Sequence, residues 1–157
     1  MSVQDDEDDI IEYVEEILET IAEAAGVDAE VRVDDSGDAI VAEFVGDDLA
    51  LLIGHHGQTI DAIQHLAYRI AFHGIDDRRP LTVDAAGYRE RRAVTLHAVA
   101  DQAAETAIRE GRPVSLEPMG AQERKVVHEY LKSRFDVETY SEGQEPSRRL
   151  VVAPLNN

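Results

Sequence analysis

Two glycines three positions apart break an otherwise helical pattern in the stretch LLIGHHGQTIDAIQHL, Leu51 to Leu66. A glycine inside a helix costs about 1 kcal/mol relative to alanine, so this pair marks a turn between two segments. Before it, GDD offers an N-cap for a short helix from Leu49 to Ile53. After it, Ile60, Ile63, Leu66, Ala67 and Ile70 recur at the spacing of one amphipathic helix face. Glycine tolerates positive φ and lets another backbone or a ligand come close. The helix that follows offers unpaired N–H groups and the positive end of its dipole. Gly54, His55, His56, Gly57 and Gln58 are therefore candidates for an anion-binding corner. G-x-x-G on its own equally fits a tight helix–turn–helix corner, and these residues alone favour the turn.

The context narrows the choice. Upstream, Ile10, Val14, Ile17, Leu18, Ile21 and Ala25 share a helical face that Gly26 can cap. AEVRV and AIVAEFV flank DDSGD, a hairpin signal, and LTVDA alternates as a strand after the loop DDRRP. The order is helix, strand, strand, short helix, helix, strand. Residues 88–110 contain neither Pro nor Gly and read as one long helix, with Leu96, Val99, Ala103 and Ala107 on one face and EGRP ending it. PVSLEP then looks extended, GAQERKVVHEYLKSR helical, and VETY and RRLVVAP like strands around SEGQEPS. These readings divide the chain into a disordered acidic tail (1–9), a first domain (10–86), a connecting helix (87–111) and a second domain (112–157), of α+β class overall. The connecting helix is expected to set the spacing of the two domains.

Charge is unevenly spread. Residues 1–77 hold 21 acids against Arg32 and Arg69, a net −19, whereas residues 78–157 hold 12 acids and 13 bases, a net +1. Screening acts over about 8–10 Å at physiological salt, so an acidic first half need not prevent the second from meeting phosphate. The absence of cysteine excludes disulfides and thiolate metal sites. No apolar run approaches the roughly 18 residues of a membrane span, and the expectation is a soluble cytoplasmic protein without membrane insertion. His55 and His56 are adjacent and poorly placed to chelate one ion, so neither metal nor cofactor is expected. No nucleophile elbow, phosphate-binding P-loop, zinc motif or dinucleotide fingerprint appears, which argues against an enzyme of any kind, and no small-molecule substrate is expected.

In ERKVVHEYLK, Arg124 and His128 lie four residues apart and so share a helix face that could address one phosphate or base, with Lys132 one turn further. A solvated helix face carries such pairs just as well. Arg148 and Arg149 are candidates for the same surface, and Tyr130 or Tyr140 for stacking on a base, although each tyrosine suits a core position better. Arg89, Arg91 and Arg92 open the long helix, either as phosphate contacts or, more simply, as solubilising charge.

Together, LLIGHHGQTIDAIQHL, DAAGYRERR and ETYSEGQEPSRRLVV resemble the bacterial Jag family, also called EloR or KhpB. Its members carry a KH domain of type II order followed by an R-three-H domain, named for an Arg and a His separated by three residues. The resemblance covers nearly the whole chain after the acidic tail and shows no sign of the separate N-terminal domain that some members carry. It implies that the GXXG loop clamps the backbone of about four nucleotides of a single strand. Bases would enter an apolar groove built from residues such as Ile53, Ile60 and Ile63. It also implies that the R-three-H helix binds single-stranded RNA or DNA. Many relatives hold Lys or Arg inside the loop where His55 and His56 stand here, so this loop lacks a permanent charge. Affinity is accordingly expected to rise as pH falls towards 6. A second reading is an adaptor whose acidic KH domain docks a protein, such as the small single-KH partner of some Jag relatives. The family is associated with control of cell elongation and division.

Overall fold

Residues 3–76 and 79–155 are described by a computed structural model of the 157-residue chain. They fall into two units, Met1–Arg89 and Glu90–Asn157.

In the first unit, helix α1 (Val3–Ala24) begins seven residues before Ile10, so the stretch expected as a disordered tail is helical from Val3. Acidic residues are favoured near a helix N-terminus by its dipole, so a sequence such as DDEDD is compatible with a longer helix. Met1 and Ser2 lie outside the described residues. Ile10, Val14, Ile17, Leu18 and Ala22 are buried, and Gly26 ends the helix at φ 70°. There the Val27 N–H bonds Ala22 O and the Gly26 N–H bonds Glu23 O, the cap that a positive-φ glycine permits.

Strands β1 (Glu30–Asp35) and β2 (Ile40–Val45) form the expected hairpin. After α2 (Ala50–Ile53), a 3₁₀ turn at His55–Gly57 and α3 (Gln58–Ala71), strand β3 (Leu81–Ala85) pairs parallel to β2. The sheet order is β1-β2-β3. A parallel pair needs a crossover connection, and α2 and α3 supply it. Ile40, Ala42 and Phe44 alternate into a core shared with α1 and α3, as do Leu81, Val83 and Ala85. This is the helix-strand-strand-helix-helix-strand order expected of a type II KH domain. The inward face of α3 is nevertheless Ile60, Ile63, Ala67 and Ala71, while Leu66 and Ile70 face solvent.

In the second unit, α4 (Tyr88–Glu110) is more than a spacer. Its Leu96, Ala100, Ala103 and Ala104 pack with Leu116, Met119, Val127, Leu131, Val137, Leu150 and Val152 in one core. Val99, expected inward, is exposed. A stripe of small alanines gives the helix too little bulk for a core of its own, and it shares the cluster supplied by α5 and the strands. That sheet is β4 (Val114–Ser115), β6 (Arg149–Pro154) and β5 (Val137–Glu142), in that antiparallel order. Helix α5 (Ala121–Leu131) buries Val127 and Leu131 against it. The second domain therefore includes the helix expected to lie outside it, and the division falls at residues 89/90. Among the described residues, no helix is long and apolar enough to cross a membrane.

Candidate nucleic-acid interface

Both glycines of GHHG are held by close neighbours. Gly54 lies at φ 73°, and a Cβ there would overlap the Thr59 hydroxyl and lie 2.9 Å from the Thr59 backbone nitrogen. Gly57 is buried at φ 77°, and its Cβ would fall 2.7 Å from Tyr88 Cε1. Tight packing thus accounts for the glycines, as the turn reading requires. The turn also presents something outward. His55 and His56 are exposed, with ring centroids 3.9 Å apart, and His56 itself adopts φ 52°. Gly57 caps α3 without a side chain; its own N–H bonds Gly54 O and the Gln58 N–H bonds His55 O within the turn, so the loop presents outward the two imidazoles and exposed Gln58 at the head of α3. The expected apolar groove is largely filled by its own protein, since Ile60 and Ile63 belong to the core and Ile53 is half-buried.

Arg89 has a different task from the solubilising one expected. Its Nε donates to Val83 O at 2.9 Å, Nη1 to Asp61 at 2.8 Å and Nη2 to Gln64 Oε1 at 3.1 Å. Gln64 Oε1 also accepts the Val83 N–H at 2.9 Å. These side chains cover polar groups of β3, an edge strand whose free N–H and C=O would otherwise invite pairing. Arg92 is structural too, bonded to nearly buried Glu123 at 2.5 Å. Arg91 is exposed.

On the second unit, one face of α5 and the strands beside it form a shallow cleft of about 350 Å³. Ala121, Arg124, Lys125 and His128 supply the helical wall, at the i, i+3, i+4, i+7 spacing of a single face. Thr139, Tyr140, Ser141 and Leu150 supply the strand wall. His128 and Arg124 do share this site, as their spacing predicts. They differ in exposure: His128 is exposed with Nδ1 2.5 Å from Thr139 Oγ1, whereas Arg124 is only 7 % exposed. Arg124 Nη1 donates to Met119 O and Nη2 to Glu145, both at 2.6 Å.

The remaining candidates separate. Lys132 lies just past the end of α5, outside the cleft lining, 3.8 Å from Glu129. Arg149 stands opposite Glu142 in the β5–β6 ladder, and Arg148 is half-buried, its Nε without an acceptor among the described residues. Tyr130 stacks on His97 at 3.9 Å and donates to Asp101 at 2.8 Å, so Tyr140, nearly half exposed at the cleft, is the aromatic open to a base. Sequence reasoning passed over Lys125, Thr139 and Ser141. The signal for Lys125 was its place one residue after Arg124, on the same face as His128. Divided at the structural boundary, the first unit has 22 acids and five bases (net −17) and the second 11 acids and ten bases (net −1). Arg78, Arg79 and Arg89 fall in the first unit, so the second is near neutral rather than basic.

A sheet with a glycine-bounded loop at the head of its long helix, followed by a unit built around an Arg-x-x-x-His helix, defines a KH domain joined to an R-three-H domain. Residues 11–83 match the family described as KhpA/KhpB, KH domain, and residues 94–154 match the R-three-H domain. The second match includes most of α4, in agreement with its place in the second core. The chain belongs to the KhpB family. It is 34 % identical over 147 residues to a Clostridium symbiosum protein named RNA-binding protein KhpB, covering 94 % of this chain and 65 % of that protein. A protein of the same name from Bacillus subtilis is 33 % identical over 147 residues, covering 92 % and 71 %. One from Lactiplantibacillus plantarum is 38 % identical over 136 residues, covering 87 % of this chain but only 42 % of that protein. The chain thus spans only part of the length of these relatives.

Proposed function

We propose that this chain is a non-catalytic, cytoplasmic RNA-binding regulator that engages single-stranded RNA through both units. The observation that carries this reading is the cleft where Lys125, His128, Thr139 and Ser141 offer phosphate-binding groups beside the exposed ring of Tyr140. A cation, an imidazole, hydroxyls and a stacking platform together suit an unpaired strand, whose bases are free to stack. The GHHG loop adds two exposed imidazoles at the positive end of the α3 dipole. Two weak sites on one chain gain affinity by effective concentration where both can reach the strand. The names of its relatives, RNA-binding protein KhpB, agree with this reading, and the family resemblance connects it to control of cell elongation or division.

Crosslinking to cellular RNA tests it. Wild type is expected to retain RNA, and combining Lys125→Gln with His55→Asp and His56→Asp to abolish retention. Wild-type recovery at background level would remove the proposal. A second reading, docking of a small single-KH protein by the first unit, is favoured by Leu66 and Ile70, which stand exposed one turn apart on α3. If Leu66→Asp abolishes capture of such a partner while RNA retention is unchanged, the adaptor role stands separately.

A further inference from the structure

The Arg124 guanidinium is engaged at two points inside the protein. One is the Met119 carbonyl, on the segment leading into α5, and the other is Glu145, in the connection between β5 and β6. The same two segments meet again where the Met119 N–H bonds Arg148 O at 3.1 Å. Arg124 is thus the side-chain link of a clasp that fixes the β5–β6 connection beside α5. A phosphate approaching this guanidinium, whose residue is only 7 % exposed, competes with a carboxylate already bonded at 2.6 Å, and charge-assisted bonds of that kind are about twice as strong as neutral ones.

Lys125 has the opposite environment. It is exposed, lines the same cleft and has no ion-pair partner among the described residues. An ammonium on a flexible stem brings three donors to a phosphate without a fixed geometry. His128 stands one turn further on the same face, its ring oriented by Thr139 Oγ1.

We propose that Lys125 is the phosphate-binding cation of the second unit, and that Arg124 is a positioning residue that acts by clasping Glu145. The proposal rests on the reading that this unit binds a nucleic-acid strand. It divides two roles that the Arg-x-x-x-His spacing alone assigns to one residue.

The test is the salt dependence of binding by the full chain to a short dye-labelled oligouridine. For a single strand, the slope of log K against log salt changes by about 0.7 for each phosphate neutralised. Lys125→Gln should weaken binding and make the slope shallower by about that amount, and Lys125→Arg should restore it. Glu145→Gln should bind somewhat more weakly with the wild-type slope, and amide hydrogen exchange in residues 143–148 should quicken even without RNA. A wild-type slope that survives Lys125→Gln overturns the proposal alone. So does Glu145→Gln that binds more tightly with a steeper slope, because it would show Arg124 released onto phosphate. No binding by wild type overturns the proposal together with the reading beneath it.

Discussion

Gly57 shows how one position can serve packing and ligand access together. It is buried against Tyr88 at φ 77°, yet it heads a helix beside two exposed histidines. Alanine there meets both the Tyr88 ring and a disfavoured backbone region. Gly57→Ala should cost about 1–3 kcal/mol, measured by denaturant unfolding. Tyr88→Ala in the same chain should recover the steric part but not the backbone part, so a fully additive double mutant would contradict the contact. The glycines and histidines of this corner were legible in the sequence because a turn is a local event. The burial of Arg124 was not, since one partner, Glu145, lies in the β5–β6 connection 21 residues away, although Met119 is only five residues distant.

At the level of elements, periodicity and turn signals placed the strands and helices of the first unit, except that the start of α1 was read as a tail and α2 begins after Leu49 without the side-chain cap expected from GDD. They misjudged how α3 and α4 are rotated. Leu66, Ile70 and Val99 look inward by composition, yet the sheets meet these helices along Ile60, Ile63, Ala67 and Ala71 and along Leu96, Ala100, Ala103 and Ala104. A wide apolar stripe leaves its centre undetermined until a partner is present. Polar pairings between elements are likewise non-local. Arg92 and Glu123 join α4 to α5, with side-chain exposures of 20 % and 9 %. Arg92→Met should destabilise the second unit by about 3 kcal/mol, because it leaves a buried carboxylate uncompensated. Adding Glu123→Leu should restore most of that loss, and a double variant as unstable as the single one would refute the pairing. Tyr130 provides the pH test. Its hydrogen bond to Asp101, then burial, raises the phenol above the usual tyrosine value of 10.0. A folded value above the unfolded one stabilises below pH 10 and is lost as pH rises through the folded value. The second unit should therefore weaken in alkali in wild type, and Tyr130→Phe should flatten that part of its stability profile.

Across the whole molecule, charge sets a problem that no single contact resolves. The first unit carries a net −17 and the second −1, yet RNA is itself a polyanion. Favourable phosphate contacts must then act against a repulsive field of longer range. Short contacts persist at moderate salt, whereas the reach of the field shrinks from about 30 Å at 0.01 M to about 8 Å at 0.15 M. Adding salt therefore weakens attraction and repulsion together, and the observed salt slope should be shallower than the number of phosphate contacts implies. Asp5, Asp6, Asp8 and Asp9 are separate in sequence from the GHHG loop and from the residues of the cleft, so charge can be removed there while those residues stay unchanged. Replacing all four by Asn should tighten oligouridine binding at low salt and steepen the slope, with wild type and variant converging towards 1 M salt, where screening reaches about 3 Å. If both bind equally at every salt concentration, the acidic half does not oppose RNA, and its charge must be explained by a basic partner instead.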